Sequence, residues 1–120
     1  MTDEVYGAPP RGWFIADVAG ASMLPTLRAG DLLVVRARRD PMAYRRGQLA
    51  LVHFDARPGR VMVKRVQEAR PGGLWVAGDN PSASDASEKF GLAHPLGKVA
   101  ARLWPRPKLC RSGRPGANRG

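Results

Sequence analysis

The sequence predicts a mainly β domain whose coiled sheets close into a partial barrel, and three observations carry that expectation. Proline (11) and glycine (14) make up 25 of 120 residues, a density that interrupts long helices and favours short strands joined by turns. Apolar residues form 43% of the chain, enough to bury a modest core in one domain of this length. Six short apolar runs alternate with turn-forming clusters, and no internal repeat is present. That spacing suits a sandwich or barrel.

Taken in order, residues 1–12 contain Gly7, Pro9, Pro10 and Gly12 and read as a flexible lead-in. Trp13–Val18 reads as the first strand. Residues 19–30, AGASMLPTLRAG, form a glycine-bounded turn region with room for one helical turn after Ser22. Asp31–Arg36 (DLLVVR) is a continuous apolar run suited to a buried strand. A basic loop, 37–47, leads to a strand at Gln48–Phe54, and Pro58-Gly59 marks a turn. Val61–Glu68 (VMVKRVQE) is the clearest strand and ends at Pro71-Gly72-Gly73. Leu74–Ala77 is a short strand, 78–91 (GDNPSASDASEKFG) a polar loop, and Gly97–Trp104 the last strand. The folded domain is therefore expected at 13–104.

The formal charge is +10, which raises the question of a polyanionic partner. Six basic residues and no acid lie between Arg102 and Gly120, among three prolines and three glycines. Residues 105–120 therefore read as a disordered basic tail. Without those six cations the net charge falls from +10 to +4. The remaining cations concentrate at Arg36–Arg46, where Tyr44 is the only interleaved aromatic, poor support for a stacking platform.

No run approaches the roughly 20 apolar residues that span a bilayer, and no basic segment precedes an apolar run as in a secretion signal. A chain without a membrane anchor of its own, acting in the cytoplasm, is expected. The single cysteine, Cys110, excludes an internal disulfide. Together with two distant histidines it makes a metal site unexpected, so no metal and no cofactor are assigned. No glycine-rich loop leads from a strand into a helix, which removes support for nucleotide binding.

Chemistry then falls to polar groups in the turns. Ser22 can be read as a turn-capping serine, or as a nucleophile whose turn exposes its hydroxyl and aims backbone N–H groups at a developing oxyanion. A serine hydroxyl needs a base. His53 and Asp55 stand two apart and could face one way, but such a pair is more often a surface feature, and His94 beside Pro95 is weaker. Lys64 is the better base. Strand alternation groups it with Met62 and Val66, opposite Val61, Val63 and Arg65. Burial disfavours an ammonium, by up to about 3–5 pKa units when complete, and a neutral amine can take a proton. The alternative is an ordinary strand lysine with its head in water.

Three ordered boxes add a resemblance to the type I signal peptidases, within the LexA/signal peptidase clan. These are Gly20–Asp31 (GASMLPTLRAGD), Val63–Val66 (VKRV) and Gly78–Ser84 (GDNPSAS). The resemblance covers about residues 16–104 and implies the clan's coiled β fold and a serine endopeptidase working through an acyl-enzyme. It implies Ser22 as nucleophile and backbone oxyanion donor, Lys64 as general base and then acid, and Ser84 as the group that orients the lysine. Gly20, Ala21, Met23, Val61 and Val63 would flank an extended peptide of a precursor protein, added as a strand between Asp17–Ala21 and Val61–Val63. Pro25, Arg65, Gly78, Asp79 and Asn80 would hold the boxes in shape.

Two departures from the family pattern bear on this. Gly20 stands where some relatives carry a serine as a side-chain oxyanion donor. Ser84-Asp85-Ala86-Ser87-Glu88 replaces the usual S-x-D-S-R, leaving Asp79 and Asp85 as alternative carboxylate partners for Arg65. The short, anchorless chain is similar to members of the nickel-type superoxide dismutase maturation protease kind, which trim a leader. It would act as a monomer with no obligatory nucleic acid. The competing readings are a basic β-domain that binds nucleic acid or acidic partners, and a catalytically dead member of the same family.

Overall fold

A computed structural model describes residues 4–5, 12–81, 86–105 and 107–110. The strands are β1 (Glu4–Val5), β2 (Trp13–Asp17), β3 (Leu32–Ala37), β4 (Leu49–Phe54), β5 (Met62–Arg70), β6 (Gly73–Ala77), β7 (Ala93–Trp104) and β8 (Lys108–Leu109), with one helical turn, α1 (Ser87–Phe90), before β7. All pairings are antiparallel, in the order β1-β2-β3-β7-β4-β5-β6, with β8 on β7.

A further bridge, Leu74 to Ala93, returns β6 to the start of β7. The strands β7, β4, β5 and β6 therefore close on themselves, while β1–β3 extend from β7 as an open wing. This is the expected mainly β partial barrel.

The core has two parts because alternate residues of the shared strands point to opposite faces. Leu49, Leu51 and Val63 join Val18, Met23, Leu27, Leu33 and Val35 in one cluster. Ala50, Val52, Phe54, Met62 and Val66 join Tyr44, Leu74 and Val76 in the other.

Several boundaries differ from expectation. The last strand begins at Ala93, four residues before Gly97, despite containing Pro95. A register shift between Leu51 and Val52 places that proline at an irregularity of the ladder, where its missing N–H is tolerated. Pairing also extends beyond 13–104 at both ends, since β1 pairs with β2 and β8 with β7. The remaining lead-in and tail, 1–3, 6–11, 106 and 111–120, lie outside the described residues.

Two glycines are required by packing. A Cβ on Gly97 would stand 2.5 Å from Val35 Cγ1 and 2.9 Å from the Arg36 carbonyl oxygen. Gly73, at φ 154°, would place one 2.7 Å from the Ala93 carbonyl oxygen.

Candidate active site

Ser22 lies in the turn joining β2 to β3. The Leu24 N–H donates to Ala21 O (3.2 Å) and the Leu27 N–H to Met23 O (2.9 Å), so the chain makes one tight turn after the serine. Met23 and Leu27 anchor it by packing into the first cluster. Ser22 is left half-buried, with Ala21 and Pro25 exposed.

Lys64 occupies the middle of β5 and is 1% exposed. It stands between Val63 of one cluster and Met62 and Val66 of the two-residue alternation that builds the other. That burial excludes an ordinary strand lysine with its head in water. Arg65, the next residue, reaches a carboxylate.

The Arg65 guanidinium donates through Nε to Asp79 Oδ1 (2.9 Å) and through Nη2 to Asp79 Oδ2 (2.7 Å), and through Nη1 to Gly47 O (2.8 Å). The Thr26 hydroxyl donates to the same Asp79 carboxylate. One acid therefore joins all three boxes: Thr26 from the serine turn, Arg65 from the lysine strand and Asp79 from the loop after β6. Of the two carboxylates considered for Arg65, Asp79 is a partner.

Burial pushes the Asp79 carboxyl upward, but the bonds from Arg65 and Thr26 and the guanidinium charge outweigh it and hold it below the usual carboxylate range. The same bond raises Arg65 further above its ordinary value. The loop then touches the serine itself. The Asn80 N–H donates to Ser22 O (2.9 Å), and its side-chain amide donates to Ala21 O (2.9 Å). Asp79 and Asn80 thus dock the third box onto the first.

Thr26 is the member of this clamp that sequence reasoning missed. Its signal was its place four residues after Ser22, inside the box. Ser84 and Asp85 lie outside the described residues.

The expected peptide-flanking residues are partly reassigned. Met23 and Val63 turn their side chains into the core, so a peptide passing there would meet backbone. The edge expected to accept a peptide, Asp17–Ala21, already carries a strand at Asp17. There Glu4 pairs with Asp17 and Val5 with Ala16.

The histidines form a separate group. Asp55 binds His94 Nε2 (3.1 Å) rather than His53, and the two imidazoles lie 5.0 Å apart. Burial, then the neighbouring His94, lowers the His53 pKa from its ordinary value, opposed by Asp55. Among the described residues no group of three or more His, Cys, Asp or Glu could hold a metal ion, and no helix is long and apolar enough to cross a membrane.

A small β-domain that joins a serine turn to a strand with a buried lysine, through a carboxylate-clamped loop, has the architecture of the LexA/signal peptidase clan. The Peptidase S24-like family matches residues 2–99, and the chain belongs to it. Comparison with curated proteins and with solved structures gives no match.

Proposed function

We propose that the chain is a serine endopeptidase in which Ser22 is the nucleophile and Lys64 the general base. The observation that carries this reading is the burial of Lys64 in the strand whose next residue, Arg65, is tied through Asp79 to the Ser22 turn. Burial penalises the ammonium form, the condition under which a lysine can accept a proton from a serine hydroxyl.

In this mechanism the Ser22 oxygen attacks the scissile carbonyl as its proton passes to the Lys64 amine. The Ser22 backbone N–H donates to the oxyanion. Lys64 returns the proton to the leaving amine, and the acyl-enzyme remains on Ser22. Water, deprotonated by Lys64, then attacks the acyl carbonyl, and Lys64 passes that proton to the departing Ser22 oxygen as the acid product leaves. Ser84 would orient the lysine amine.

The substrate is a precursor protein from which a leader segment is removed in an extended conformation. A precursor of the nickel superoxide dismutase kind is the specific proposal, resting on the order and short spacing of the boxes. Pairing with a peptide would use Val18–Ala21, or the edge at Asp17 after displacement of β1.

The test incubates the full chain with peptides that carry small residues before the bond and with such a precursor, and follows cleavage by mass spectrometry. Ser22→Ala and Lys64→Ala are each expected to abolish processing, while His53→Ala leaves it mostly intact. Retained cleavage with Lys64→Ala removes the proposed base. A folded wild type that cleaves nothing supports a catalytically dead member. Mass loss from the chain itself identifies self-cleavage of the LexA type.

A further inference from the structure

The face of the open wing carries a second arrangement. Strand register places Trp13 opposite Arg36 and Arg36 opposite Lys98, so the three form one row across β2, β3 and β7. Paired residues share a face of the sheet. Trp13 is 58% exposed, and the Arg36 guanidinium lies 5.9 Å from its ring centroid.

A cleft of about 200 Å³ opens beside the row, lined by Trp13, Arg36, Lys98, Gln48 and Cys110 among others. Arg38 and Arg45 enlarge the cationic field. Burial first, then Arg38, Arg36 and Arg45, lower the Lys98 pKa from its ordinary value, which reflects cations held close to one another. Among the described residues no ion pair uses Arg36, Arg38, Arg45 or Lys98.

Tyr44, the aromatic that the sequence places in this basic segment, is not part of the surface. It is buried at 3% exposure, its hydroxyl donates to Arg38 O (2.8 Å), and the Lys98 ammonium sits 5.5 Å from its ring. The exposed aromatic of this row is Trp13, brought from the start of the domain by strand pairing.

From this row we infer that the chain binds single-stranded nucleic acid, with a base against Trp13 and phosphates on Arg36, Lys98, Arg38 and Arg45. Two features favour nucleic acid over an acidic protein. An indole backed by a guanidinium gives a flat platform for any base. Cations repeated across adjacent strands, about 5 Å apart, track a charged backbone.

The inference is independent of the peptidase reading, so Ser22→Ala protein is expected to bind like wild type. The probe is a fluorescein-labelled 12-nucleotide single strand, followed by anisotropy against salt concentration, with polyglutamate as competitor. Each phosphate contact contributes about −0.7 to the slope of log K against log salt. Arg36→Ala with Lys98→Ala is therefore expected to make the slope shallower by about 1.4. Trp13→Ala is expected to weaken binding at least about five-fold with the slope unchanged.

Trp13→Leu retains apolar bulk and separates stacking from any disturbance of the sheet, and it too is expected to weaken binding. A double variant that binds with wild-type affinity and slope overturns the inference and assigns the binding to residues outside the row. Equal competition by polyglutamate also overturns it, in favour of an acidic protein partner.

Discussion

Replacing Asp79 by alanine tests whether one carboxylate holds the site together. It removes two hydrogen bonds from Arg65 and one from Thr26, and leaves a guanidinium on β5 without its charge partner. A hydrogen bond to a charged group contributes about 1.5–3 kcal/mol, and breaking a fully buried pair costs about 3–5 kcal/mol. An exposed pair contributes about 0–1 kcal/mol. Here the Arg65 side chain is 34% exposed and that of Asp79 19%, so the pair lies between those limits and Arg65 keeps its bond to Gly47.

The expected loss is about 2 kcal/mol, read as a lower urea midpoint with unchanged slope or a fall in Tm of about 6–10 °C. The loss should also depend on pH. The folded Asp79 carboxyl is held below its ordinary value, so its contribution is complete above the unfolded value of about 3.9 and disappears as pH falls through the folded value. Wild type and Asp79→Asn should therefore differ by a constant amount above about pH 3.9 and converge as pH falls through the folded value. Processing should fall further than stability does, because Asn80 then has no anchored neighbour to hold it on Ser22. A change under about 0.5 kcal/mol, with no pH-dependent difference, would refute the clamp.

Lys64→Met replaces a buried amine by an apolar chain of similar size. Thermal melts should show stability equal to or above wild type, while processing falls by about 10²-fold or more. Gly97→Ala forces a Cβ against Val35 and the Arg36 carbonyl and should destabilise by about 1–3 kcal/mol in urea unfolding. Ser87 is fully buried, and its Oγ accepts from the Val76 N–H (2.8 Å). Ser87→Ala strands that donor and should lose about 1–3 kcal/mol by the same measurement. Removing residues 1–7 deletes the strand lying on Ala16 and Asp17. Peptide cleavage assays should then show a several-fold lower KM with kcat little changed.

The strands were legible where apolar runs had clear limits. Leu32–Ala37 and Leu49–Phe54 begin within one residue of the expected starts, and the alternation of Met62, Lys64 and Val66 against Val63 appears in the two clusters. Ser22 and Lys64 were legible as candidates through the order and flanking sequence of the three boxes, since neither is decisive in its own segment alone; the burial of Lys64 fits that reading. The pairing of Arg65 with Asp79 was not, since sequence offered two acids and the path of the loop after β6 is what brings Asp79 to the guanidinium. The Trp13–Arg36–Lys98 row was hidden for a related reason. Three residues spread over the chain become neighbours only once register is fixed, and local sequence does not carry register across β3 and β7. Pro95 concealed the first four residues of β7, Ala93–Leu96, by suggesting an interruption where the ladder tolerates one.

Gly97 sits where β7 passes between its two neighbours, aligned with Ala37 on one side and Leu51 on the other. A single backbone thus serves as party wall for the closed barrel and the open wing, with no linker between them to flex. Swinging one half relative to the other would require tearing that seam. Ser22 hangs from the same wing as the cationic row, so whatever is captured there can assist the serine only by leashing a substrate close at hand, and not by opening or shutting a gate.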